Sequence, residues 1–219
     1  MREIIPTIVP TSFEHLEAEI ARLRGFARAA HIDAGDGTFV PNTTWLPAGD
    51  ESLPATNALL FEAHLMVQEP LELGVRFAKA GASRIIAHFE SFSETSTIER
   101  ACSAWREAGA KEVVLALKID TPIEDAAPFL HLVDGVLIMT IANIGAQGQA
   151  FDAHGLERIS AMSKQFPLLP ITADGGINEN TIHDVATAGA SRMCVGAALA
   201  AADDPAALYQ RLSHAANAV

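Results

Sequence analysis

Four side chains of metal-ligand type, His31, Asp33, His64 and Asp174, are the residues of this sequence best placed to do chemistry together. Each closes a short apolar run: Ala-Ala-His-Ile-Asp, Phe-Glu-Ala-His and Ile-Thr-Ala-Asp. Two imidazoles and two carboxylates suit a divalent transition metal, and either carboxylate can also move protons. A lone histidine at a strand end is more often a satisfied buried residue than a ligand. The carboxylates change that weighting. An aspartate ending an apolar strand is costly to bury without a cation, a strong hydrogen-bond set or a metal, and one shared metal accounts for all four residues.

For the four to meet, the elements carrying them have to converge. Residues two apart on a strand share a face, which lets His31 and Asp33 reach one point, and neighbouring parallel strands bring their C-terminal ends to a common mouth. Apolar strand-like runs alternate with helical patterns along the whole chain, the form of repeated βα units. The runs are Ile4 to Val9, Ala29 to Asp33, Leu59 to His64, Arg84 to His88, Val113 to Lys118, Gly135 to Thr140, Leu169 to Asp174 and Arg192 to Gly196. That is eight units of about 27 residues, at the compact end for a closed (β/α)8 TIM barrel. Ser12 is an N-cap candidate for a helix with Phe13, Leu16, Ile20 and Leu23 at helical spacing, and Pro70 to Ala80 reads as another helix, ended by Gly81. The phrases Lys79-Ala-Gly-Ala, Glu107-Ala-Gly-Ala and Thr187-Ala-Gly-Ala each lie between a helix and a strand, so Gly81, Gly109 and Gly189 suit left-handed C-caps. The second helix is the weak place: Pro47, Gly49 and Pro54 interrupt Thr43 to Asn57, where a loop or very short helix is expected. An open doubly wound sheet is the alternative, but it gathers its active residues at one switch point. Candidate ligands on strands two, three and seven favour the barrel, as a single domain over residues 1–219.

Composition sets the partners. The chain has 219 residues, 49% hydrophobic and 19% charged, enough for a sizeable core. A net charge of −12 disfavours nucleic acid and anionic membrane surfaces as partners. A small anionic substrate is still allowed, since local backbone N–H groups can outweigh a distant net charge. The two cysteines, Cys102 and Cys194, have no paired spacing, which fits a reducing, cytoplasmic setting and gives no thiolate metal site. The opening Met-Arg-Glu-Ile-Ile-Pro lacks signal-peptide form, and no stretch reaches the roughly 18 apolar residues of a membrane span.

The stretch His31-Ile-Asp-Ala-Gly-Asp-Gly-Thr-Phe-Val-Pro-Asn resembles the strand-two signature of ribulose-phosphate 3-epimerases, His-x-Asp-x-Met-Asp-Gly-x-Phe-Val-Pro-Asn. His64-Leu-Met is similar to that family's strand-three motif, Asp174-Gly-Gly-Ile-Asn to its strand-seven motif, and Pro6-Thr-Ile to its opening Pro-Ser-Ile. The similarity runs from about Ile4 to Pro205. It implies a barrel in which His31, Asp33, His64 and Asp174 bind one divalent metal, with zinc, iron(II), manganese or cobalt all possible. It also implies that Asp33 and Asp174 are the acid/base pair on opposite faces of a ketose phosphate, interconverting D-ribulose 5-phosphate and D-xylulose 5-phosphate or a close analogue. No nicotinamide cofactor is needed, and a homo-oligomer is implied.

Met66 and Met139 match two methionines of the family's substrate layer, with core packing as the plain alternative. Gly175-Gly176 and Gly196-Ala197 follow strands seven and eight, where backbone N–H groups can hold a phosphate. The family's strand-six loop, close to Asn-Pro-Gly-Phe-Gly-Gly-Gln, is replaced by the longer Ile141-Ala-Asn-Ile-Gly-Ala-Gln-Gly-Gln, in which only Gly148 and Gln149 align well. Other departures are Gly35 for a methionine, Ala197 for a serine, Thr7 for the opening serine, and Lys118-Ile-Asp-Thr-Pro for Asn-Pro-x-Thr-Pro. The metal and proton-transfer set is intact, while the substrate-holding set has drifted. Lys118 raises the thought of a Schiff-base aldolase, His88 either lines the mouth or fills the barrel, and the other five histidines look like surface residues. An epimerase for another ketose, phosphorylated or not, and a non-catalytic sugar-phosphate-binding barrel stay open as alternatives.

Overall fold

The computed structural model describes residues 1–49, 51–54, 59–92 and 94–219. Eight parallel strands close into a barrel in chain order, with β1 (Glu3–Ile8) pairing both β2 (Ala29–Gly35) and β8 (Arg192–Val195). Between them lie β3 (Leu60–Met66), β4 (Arg84–His88), β5 (Glu112–Leu117), β6 (Gly135–Met139) and β7 (Ile171–Asp174). Every expected strand is present, with ends shifted by at most two residues.

Helices cover the outside: α1 (Phe13–Leu23), α2 (Pro70–Ala80), α3 (Thr95–Glu107), α4 (Ile123–Ala126), α5 (His154–Gln165), α6 (Ile182–Ala188), α7 (Ala197–Ala200) and α8 (Pro205–Asn217). Ser12 caps α1 by accepting from the His15 N–H, and Leu16, Ile20 and Leu23 form its buried stripe. Gly81, Gly109 and Gly189 all hold left-handed φ of 109° to 119°, the conformation that turns each helix back toward its next strand. The interrupted segment Thr43 to Asn57 contains no helix among its described residues; positions 50 and 55–57 lie outside them.

The pleat sorts side chains into two cores. Along β3, Phe61, Ala63 and Leu65 join the large apolar layer between strands and helices, which leaves Glu62, His64 and Met66 to the barrel interior. That interior is divided. Ile86, Val114, Ala116, Leu137, Met139 and Ile141 fill its β4–β6 side with a small apolar cluster. The opposite side carries His31, Asp33, Glu62, His64 and Arg84, all buried.

Candidate active site

Strand register explains why the four ligand-type residues converge. Asp33 on β2 lies beside His64 on β3, and His31 lies beside Glu62. Asp174 arrives from β7, which is separated from β2 by β8 and β1. The two carboxylates therefore approach one point from different arcs of the ring. His64 Nδ1 lies 3.1 Å from Asp33 Oδ1 and 3.5 Å from Asp174 Oδ2; His31 Nε2 lies 3.3 Å and 3.9 Å from the same two oxygens. One ligand atom from each of the four falls within 4.8 Å of the others. His31 Nε2 is fully buried and has no hydrogen-bond partner. An unsatisfied buried ring nitrogen aimed at two carboxylate oxygens suits a shared cation, so the donor set fits one divalent metal.

The electrostatics separate the carboxylates. Burial alone would raise Asp33, but the close approach of the His31 and His64 imidazoles holds it well below the usual range. Burial pushes Asp174 the other way, up to about 6, with the Asp33 charge adding to the shift. A pair of carboxyl groups driven apart in this way is suited to one accepting a proton while the other donates.

Behind the cluster are Glu62, Arg84 and Glu112, which the sequence reading did not single out, and His88, which it did. Glu62 Oε1 lies 2.5 Å from His31 Nδ1, and the other Glu62 oxygen pairs with Arg84. Arg84 continues to Glu112, which also meets Arg192 at 2.9 Å. Despite burial, His31 and Arg84 hold Glu62 down to about 2. Its signal in the sequence is a glutamate inside the apolar run Leu-Phe-Glu-Ala-His, two residues before His64 and hence on the same face. His88 stands behind His64, with the two Nε2 atoms 2.9 Å apart, and does not line the mouth. Burial pushes it down to about 4.

Above the cluster opens a cavity of about 390 Å³, with Asp33 and Asp174 in its wall. Thr7, Met66 and Met139 also line it, as do Gly148, Gly175, Gly176, Gly196 and Ala197, so all eight expected substrate-side residues face one space. Among the described residues, no internal hydrogen bond is made by the backbone N–H groups of Gly175, Gly176 or Ala197. Gly175 and Gly176 hold φ of 114° and 68°, and a Cβ on Gly176 would lie 2.7 Å from the Phe151 backbone. Only glycine permits that turn at so close an approach. The altered strand-six loop crosses the mouth. Gly145, at φ 97°, packs against Val40 and Asn42 of the loop after β2, and Gln147 donates to the Thr7 carbonyl at 3.2 Å while lying over Gly196. Among the described residues, no lysine or arginine lines the cavity. Lys118 is directed elsewhere, its Nζ 3.9 Å from the centre of the Phe39 ring, so the Schiff-base reading finds no support. The other five histidines, at 15, 131, 154, 183 and 214, are exposed.

Residues 3–200 match the Ribulose-phosphate 3 epimerase family. The chain belongs to that family. A ribulose-phosphate 3-epimerase of Schizosaccharomyces pombe is 33% identical over 207 residues, covering 93% of this chain and 89% of the yeast protein. The cytoplasmic isoform of Oryza sativa subsp. japonica is 32% identical over 220 residues, covering 96% and 92%. Among solved structures, 3-hexulose-6-phosphate synthase from Salmonella typhimurium superposes with a TM-score of 0.71 at 17% identity, covering 98% of each chain, a likeness of fold. This family member is an isomerase of the epimerase class with a (β/α)8 barrel, and a sugar phosphate suits it as substrate. Among the described residues, no helix is long and apolar enough to cross a membrane.

Proposed function

We propose that this epimerase interconverts D-ribulose 5-phosphate and D-xylulose 5-phosphate, with Asp33 and Asp174 exchanging the C3 proton in a site that holds one divalent cation, the 219 residues acting as one domain. The observation that carries the reading is the meeting of these carboxylates, from β2 and β7, at the floor of one cavity with His31 and His64 beside them. His31, Asp33, His64 and Asp174 would hold the cation, with zinc, iron(II), manganese and cobalt all compatible with their donor atoms. When bound, it supplies positive charge beside the oxygens where the negative charge of an enediolate develops.

The protein's own groups do the rest. One aspartate removes the C3 proton, and the C–H electron pair moves toward C2 as its carbonyl becomes an enediolate. The other returns a proton to the opposite face of C3, inverting that centre. Which carboxylate acts first depends on the direction of reaction; one turnover exchanges the protonation states of the two aspartates, and proton exchange with solvent restores the starting pair. Met66 and Met139 give the enediolate an apolar wall that keeps water from protonating it at random. The free N–H groups of Gly175, Gly176 and Ala197 would receive the phosphate without a cationic side chain.

Supporting a cytoplasmic location are the name of the rice relative and two buried, unpaired cysteines. The homo-oligomer implied by the resemblance is open to sedimentation. One observation favours a second reading, an epimerase for another ketose: Gln147, from the lengthened loop, lies over Gly196 where a phosphate would sit. A panel of ketoses and ketose phosphates separates the two.

The direct test follows deuterium by NMR at C3 of D-ribulose 5-phosphate in D2O with metal-loaded protein. Exchange together with xylulose 5-phosphate, lost in D33N and D174N, is the expected result. No exchange at C3 by metal-loaded protein would overturn the substrate assignment.

A further inference from the structure

We infer that Glu90 and His88 are positioning residues that fix which ring nitrogen of His64 is free to bind a cation. The inference rests on the proposed cation site. His64 turns Nδ1 toward Asp33 and Asp174, and its Nε2 lies 2.9 Å from His88 Nε2. Two ring nitrogens at that distance need one hydrogen between them, donated by one and accepted by the other. If His64 offers a lone pair from Nδ1, its hydrogen is on Nε2 and is donated to His88. The Nε2 of His88 is then bare, and its hydrogen is on Nδ1. That atom lies 3.2 Å from Glu90 Oε2, which accepts it.

The far end of the chain shows why the direction holds. The other carboxylate oxygen of Glu90 accepts from the Lys118 backbone N–H at 2.8 Å and from the Thr121 hydroxyl. An ionised carboxylate only accepts hydrogen bonds, so His88 Nδ1 has to be the donor and every hydrogen along the row points away from the cation site. The row is built from two strands and a loop: His64 on β3, His88 at the end of β4, and the segment after β5 that holds Glu90 from beyond. His88 and Glu90 are two apart in Ala-His-Phe-Glu, yet neither lines the cavity.

Glu90→Gln isolates the direction from the shape. The amide oxygen can still accept from Lys118 and Thr121, which leaves its NH2 facing His88 Nδ1. His88 must then accept there and donate from Nε2, His64 must accept at Nε2, and its hydrogen moves to Nδ1, into the cation site. The prediction is a loss of affinity of about 10- to 100-fold, the usual effect of removing the partner of a metal-bound histidine.

The experiment titrates wild type, E90Q and H31A with Zn2+ against a chromophoric chelator, and reads histidine tautomers by long-range 1H–15N NMR on the metal-free proteins. Weakened Zn2+ binding in E90Q, with His64 protonated on Nδ1 and the thermal midpoint of metal-free protein near that of wild type, is the expected result. Equal affinity of E90Q and wild type would overturn the inference while leaving the cation site standing. Wild-type His88 found with its hydrogen on Nε2 would overturn it without reference to any variant. Binding by wild type that is absent, or unchanged in H31A, would overturn the cation site and the inference together.

Discussion

The cavity has two ends built on different principles. At the floor, His31, Asp33, His64 and Asp174 are held by strand register and backed by buried partners: Glu62 and Arg84 behind His31, His88 and Glu90 behind His64. At the other end, Gly175, Gly176, Gly196 and Ala197 present backbone at the turns after β7 and β8, roofed by the 141–149 loop. The floor depends on side-chain identity and exact placement, so one substitution there breaks a set. The glycine end depends on backbone shape, which many neighbouring side chains can support. This difference explains why the family's signature is kept at the floor while Ala197 and the longer strand-six loop depart from it.

The largest losses are expected at the floor. D174N removes one of the two groups proposed to transfer the proton and is expected to lower kcat by about 10²- to 10⁴-fold, measured by coupled assay of the epimerisation, with a smaller change in KM.

Next comes the support of the floor. E62Q removes the buried counter-charge of Arg84 and leaves it Glu112 alone, and is expected to destabilise the fold by at most about 3–5 kcal/mol, measured by urea denaturation at neutral pH. Glu62 is held at about 2 in the folded protein against an ordinary value of 4.5, so its ionised form stabilises the fold above 4.5. That contribution is lost as pH falls through 4.5 toward 2, and the gap between wild type and E62Q is expected to narrow over that window.

The glycine end responds to shape. G176A places a Cβ at φ 68° against the Phe151 backbone and is expected to cost about 1–3 kcal/mol of stability, with KM raised more than kcat is lowered. Smallest is Q147A, which removes one hydrogen bond to the Thr7 carbonyl. A change in KM of no more than about tenfold is expected. A larger loss, or a changed order of preference across the ketose panel, would make Gln147 the selector of substrate and sharpen the contrast between the ends.

The sequence by itself determined the barrel and most of the floor. Short apolar runs, three Ala-Gly-Ala punctuation marks and strand-end placement of His31, His64 and Asp174 are local signals, since each depends only on residues next to it in the chain. Tertiary structure alone decided the rest. Nothing local pairs Glu62 with His31, 31 residues away, or joins Glu90 to Lys118 and Thr121 across 28 and 31 residues. Those contacts exist because closing eight staggered strands into a ring sets which inward side chains share a level. The same closure placed His88 behind His64, a choice that its position at the end of an apolar run left open, and carried Lys118 away from the cavity to the face of Phe39. A strand pattern states that a side chain points inward; only the register of its neighbours states what it meets there.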